Sequence, residues 1–138
     1  MGIRLGMIVL YARDLQKSIE FYRLLGLDVP DPHPERPVSI YKMDNGITMI
    51  ITVDDIALRF DSAWTRPDRG YQQFMEFFVD DNAAVDAVWD KLTSAGYRGR
   101  TPPAHLNGPY ATMVEDPDGN VVLITNETRH NTDPPAPA

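Results

Sequence analysis

With 138 residues the chain fits one closed core and is too short for two, and its 43% hydrophobic and 24% charged composition is that of an ordinary globular protein. No apolar run approaches the roughly 20 residues of a membrane span, and a formal charge of −7 opposes a phosphate-backbone partner, so neither membrane nor nucleic acid is an expected partner. The absence of cysteine removes disulfides, thiolate nucleophiles and thiolate metal sites, and the start Met1-Gly2-Ile3-Arg4-Leu5-Gly6 carries no export or acylation pattern, so the expected compartment is the cytoplasm.

Leu5 to Tyr11 reads as a β-strand. Asp14 then stands before Leu15–Leu25, where Leu15, Ile19, Tyr22 and Leu25 recur at helical spacing, and Gly26 closes the helix. The segment Pro30–Pro37 holds four prolines and reads as an irregular connector. Val38–Met43 and Ile47–Val53 form a hairpin around Asp44-Asn45-Gly46. Asp54–Gly70, with Trp64 among charged residues and with Pro67 and Gly70 near its end, reads as a crossover loop.

The order then returns. Gln72–Val79 is a strand, Asp80-Asp81-Asn82 a cap region, and Ala83–Ser94 a helix with Val85, Val88, Trp89 and Leu92 on one face. A connector with Pro102, Pro103 and Pro109 leads to strands at Tyr110–Glu115 and Val121–Thr125 around Asp116-Pro117-Asp118-Gly119-Asn120. Matched strands, caps, helices and closing hairpins indicate an internal repeat. The expected fold is α+β, a single domain over residues 1–126: module one at about 3–55, a crossover at 56–70 and module two at about 71–126. Residues 127–138 are expected to form a disordered tail.

Alternation divides each strand into two faces. Phe74, Glu76 and Phe78 share one face of their strand, a mixture of apolar and acidic groups that a closed core does not favour, because an unpaired buried carboxylate is costly. Thr48 and Ile50, Leu123, and the first-strand residues Met7, Val9 and Tyr11 fall on corresponding faces. Such faces line a concavity that is apolar with a few polar groups, the usual make-up of a small-molecule site. Trp64 and Tyr110 flank it from neighbouring segments. The candidate ligand-binding set is therefore Met7, Val9, Tyr11, Thr48, Ile50, Trp64, Phe74, Glu76, Tyr110 and Leu123.

The run Ala12-Arg13-Asp14-Leu15-Gln16-Lys17-Ser18-Ile19-Glu20-Phe21-Tyr22 with Leu25-Gly26-Leu27, then Val79-Asp80-Asp81, Gly96 and Glu115-Asp116-Pro117-Asp118-Gly119-Asn120, resembles the vicinal oxygen chelate superfamily, the glyoxalase, bleomycin resistance and extradiol dioxygenase group. The resemblance implies two βαβββ modules whose curled mixed sheets enclose a shared pocket, often in a homodimer. It also implies four metal-ligand positions, which fall here on Met7, Ile50, Phe74 and Leu123. None of these suits a divalent ion, so neither a metal nor another cofactor is expected. His33, His105 and His130 lie in a connector, a loop and the tail, with no ligand pair on one element.

The expected function is metal-independent binding or sequestration of a small organic molecule, aromatic or cationic, similar to the bleomycin resistance branch, with no catalytic residues assigned. Two alternatives stay open. One is an enzyme of the same fold, with a displaced metal site or Glu76 as general base; the other is a non-catalytic interaction module with a filled cavity.

Overall fold

The computed structural model describes residues 2–106 and 108–126. The element order is β1 (Met7–Ala12), α1 (Leu15–Leu25), β2 (Ser39–Lys42), β3 (Thr48–Val53), α2 (Asp54–Phe60), β4 (Phe74–Val79), α3 (Asn82–Ser94), β5 (Gly99–His105), β6 (Tyr110–Glu115) and β7 (Val121–Asn126). Residue contacts divide the chain into two compact units, one ending at Asp68 and the other beginning at Arg69. The expected tail, His130 included, lies outside the described residues.

In the first unit α1 is set by its ends and its buried face. Asp14 accepts a hydrogen bond from the Lys17 amide at 3.1 Å, satisfying one of the free donors of the first turn. Ile19, Phe21, Tyr22 and Leu25 are buried, and Arg23 in the last turn suits the negative end of the helix dipole. The sheet runs β1-β3-β2, with β1 parallel and β2 antiparallel to β3. A parallel pair requires a crossover, which α1 supplies while packing on β3. Leu10, Met49 and Ile51 are buried on one side of this sheet.

The expected crossover loop begins instead with a helix, α2. Asp54 and Asp55 occupy its first turn and Arg59 its last, both favourable to the helix dipole, and Ala57 is a buried anchor. Pro67 and Gly70, which suggested a loop, come only after the helix has ended. Downstream, the Arg66 guanidinium pairs with the Asp54 carboxylate and donates to the Tyr11 carbonyl at 3.2 Å, tying the segment back to β1 and α2.

The second unit repeats the plan with one more strand. Its sheet runs β4-β7-β6-β5, with β4 parallel to β7. Asp81 caps α3 by accepting from the Ala84 amide at 2.8 Å, and Val85 and Leu92 are fully buried where α3 packs over β5, β6 and β7. The connector expected between α3 and β6 contains the strand β5. Pro102 and Pro103 are accommodated because β5 is an edge strand and its register with β6 shifts on both sides of Thr101, so the missing N–H groups break no central ladder. The three strands implied after each helix are therefore complete in the second unit. Among the described residues the first unit has two, with the Pro30–Pro37 connector ahead of them.

The repeat is closest in its turns. Gly46 and Gly119 both sit at φ +87°, a left-handed conformation that admits glycine without strain. In the second turn the Asp116 carboxylate, 5% exposed, accepts from the amides of Asp118 and Asn120 and from the Asn120 side chain at 2.8–2.9 Å. The Asp-Pro-Asp-Gly-Asn motif thus serves as a self-bonded turn.

Candidate ligand-binding faces

Strand register decides which side chains share a face. In the first unit Val9 lies opposite Ile50, which lies opposite Ile40; Met7 and Tyr11 stand beside Thr48 and Thr52. This face is the less covered side of the sheet: Met7 is 57% exposed, Val9 42% and Ile40 38%, whereas Met49 and Ile51 on the other side are fully buried. Ile50 and Thr48 are half-buried. Thr52 is buried, and its hydroxyl is taken by the Pro37 carbonyl at 2.7 Å. Tyr11 meets Trp64 edge to face at 5.5 Å, and the Arg66 guanidinium lies 5.7 Å from the Trp64 ring. An interaction of this geometry fixes an indole beside the apolar row.

In the second unit Phe74, Glu76 and Phe78 of β4 align with Val121, Leu123 and Thr125 of β7, and these with Glu115, Met113 and Ala111 of β6. Exposure falls across this face. Phe74 and Phe78 are 47% and 40% exposed, Glu76 and Leu123 are half-buried, and Val121, Thr125 and Ala111 are buried. The buried Thr125 hydroxyl donates to Glu76 Oε2 at 2.9 Å, so the carboxylate is oriented from the neighbouring strand and stands between two phenyl rings two residues away on either side.

Of the expected set, Met7, Val9, Tyr11, Thr48, Ile50 and Trp64 come together in the first unit, and Phe74, Glu76 and Leu123 in the second. Tyr110 stands apart. It belongs to the face of β6 that carries Thr112 and Val114, and its hydroxyl donates to Asp86 of α3 at 2.6 Å. That bond to a carboxylate holds the phenol proton and raises the Tyr110 pKa above its ordinary value. Ile40 and Phe78 are the additions. Both were accessible to alternation, Phe78 directly and Ile40 once β2 is placed opposite β3.

The donor chemistry at the four positions where the resemblance places metal ligands is one thioether and three hydrocarbon side chains, and it does not fit a divalent ion. Among the described residues no three His, Cys, Asp or Glu side chains are grouped to hold one. No helix among them is long and apolar enough to cross a membrane.

A family model described as the Glyoxalase/Bleomycin resistance protein/Dioxygenase superfamily matches residues 4–124. No curated protein matches the chain. Among solved structures it is similar to a glyoxalase/bleomycin resistance protein/dioxygenase family enzyme from Burkholderia phytofirmans PsJN, at 20% identity and TM-score 0.77, covering 90% of this chain and 98% of that one. It is also similar to a glyoxalase-related enzyme from Fulvimarina pelagi (22%, TM-score 0.75, 89% and 87% covered) and to a lactoylglutathione lyase from Agrobacterium tumefaciens (24%, TM-score 0.62, 89% and 92% covered). At these identities the likeness is one of fold.

Proposed function

We propose that this chain, which belongs to the Glyoxalase/Bleomycin resistance protein/Dioxygenase superfamily, binds a small organic molecule, aromatic or cationic, through its exposed sheet faces without a metal ion. The observation that carries this reading is the β4 triplet: a carboxylate oriented by a buried hydroxyl between two substantially exposed phenyl rings. Exposed aromatic rings that a ligand covers supply both area and ring-specific contact, about 0.5–1.5 kcal/mol for a good aromatic pair beyond burial itself. Glu76 adds negative charge where a ligand cation would pair. The apolar row of Met7, Val9, Ile50 and Ile40, with Trp64 beside it, offers a second face of the same character.

Metal-free protein titrated with planar aromatic and cationic compounds, followed by the fluorescence of Trp64 and Trp89, tests the reading. Saturable binding that Phe74→Ala and Glu76→Gln each weaken about fivefold or more, in proteins that remain folded, is the expected outcome. Unchanged affinity in both variants would overturn it. Glu76 as a general base is the competing role. Turnover of a bound compound that Glu76→Gln abolishes while binding persists would establish it.

A further inference from the structure

We propose that Arg98 and Arg100 form a binding site for a small organic oxyanion, a carboxylate or a phosphate ester, beside the β5–β6 ladder. Neither arginine belongs to the ligand-binding set assigned to β4 and β7, but their shared partner Glu115 lies on β6 at the edge of the same sheet face, in line with Val121 and Phe74.

Arg98 precedes β5 and Arg100 is its second residue, so the two-residue period of extended chain sends both side chains to one side. Gly99 between them faces the other way, against Trp89. A Cβ built on Gly99 would lie 2.2 Å from the indole, so the backbone is pressed onto the ring at the one point that spaces the two arginines. Strand β6 brings the counter-charge. The Glu115 amide donates to the Arg98 carbonyl at 2.9 Å, and a single carboxylate oxygen of Glu115, Oε2, receives Arg98 Nε at 3.2 Å and Arg100 Nη1 at 3.3 Å. The two guanidiniums are thereby held together on one atom, and the Arg100 guanidinium lies 5.2 Å from the Tyr71 ring.

Two positive groups thus share one negative partner. The Glu115 side chain is 14% exposed, Arg100 38% and Arg98 79%, so the carboxylate is withdrawn from water while both guanidiniums reach it. One arginine is enough to neutralise Glu115, and the pair made by the 79% exposed Arg98 adds little to folding. Two guanidiniums on one carboxylate oxygen leave a set of outward N–H donors, since each guanidinium has five. An oxyanion bridging the two forks uses those donors in short charge-assisted bonds and relieves the repulsion between the cations. Tyr71, itself 42% exposed, offers a ring face to an aromatic group attached to that anion. The net charge of −7 repels anions at long range, so affinity has to come from these short contacts and weakens as salt is added.

The test is a titration of the full chain at low salt with phenyl phosphate, benzoate and inorganic phosphate, read by NMR at the arginine side-chain N–H groups and by calorimetry. Saturable binding is expected, with shifts at Arg98 and Arg100 and with an aromatic anion binding more tightly than inorganic phosphate. Arg98→Ala and Arg100→Ala are each expected to weaken it about tenfold, while Arg36→Ala in the first unit leaves it unchanged. The order of phenyl phosphate and benzoate then identifies the preferred oxyanion. No saturable binding to the native chain, or undiminished binding in a folded double alanine variant, overturns the proposal. Should the alanine variants fail to fold, the double lysine variant keeps the charges and loses the forks; weakened binding then supports the proposal, and full affinity overturns it.

Discussion

Asp14 and Asp81 perform one task in two places: each accepts a hydrogen bond from the amide three residues ahead and so starts a helix. Replacement of either by alanine leaves a first-turn donor without its side-chain acceptor and is expected to cost about 1 kcal/mol, measurable as a lower urea midpoint at unchanged slope. Tyr110 makes a different kind of prediction. Its raised pKa arises from the hydrogen bond to Asp86, then from desolvation and from the Asp86 charge. The pKa is higher in the folded chain, so the bond's contribution is fully present below the unfolded phenol value and is lost as pH rises through the folded one. Asp86→Asn is expected to move the Tyr110 titration downward, seen in the NMR shifts of its ring; an unmoved titration would assign the shift to another cause.

Elements were legible wherever short-range chemistry alone sets them. Both long helices, their aspartate caps, the two glycine turns and strands β1, β2, β3, β4, β6 and β7 follow from spacing, turn and capping residues. Two elements were hidden for physical reasons. The strand β5 contains adjacent prolines, which read as irregular until pairing at a sheet edge with shifted register is known. The helix α2 is only seven residues long and too brief for a periodic signal, although Asp54, Asp55 and Arg59 carried its charge pattern. The binding faces were partly legible for the same reason: alternation separates Phe74 and Glu76 from Met75 and Phe77, but only register places Ile40 in line with Val9, and only the bond to Asp86 shows where Tyr110 is engaged. Because Phe74 and Phe78 retain much of their exposure, alanine at either position is expected to cost less than about 1 kcal/mol of stability, so a loss of ligand binding there can be read apart from unfolding. Gly99→Ala belongs to the opposite case. Its added methyl meets Trp89, and a loss of about 1–3 kcal/mol with a shift in Trp89 emission is expected.

At the scale of the whole molecule, each unit joins its first strand to its last in parallel, β1 to β3 and β4 to β7. In both sheets the strand that comes latest in the unit takes an inner place: β3 lies between β1 and β2, and β7 between β4 and β6. During synthesis the first strand of each unit consequently emerges without a neighbour to pair with. β1 must wait through α1 and β2, and β4 through α3 and two further strands, before a partner exists, and such distant closures are slow. A chain stopped just before Val121 is expected to keep the β5–β6 hairpin and leave β4 unpaired, which protease sensitivity confined to the second unit would reveal. Until the final strand arrives, the ribosome presents β4 as an open edge carrying Phe74 and Phe78, so the rings we assign to ligand recognition are also those that a growing chain must shield from aggregation.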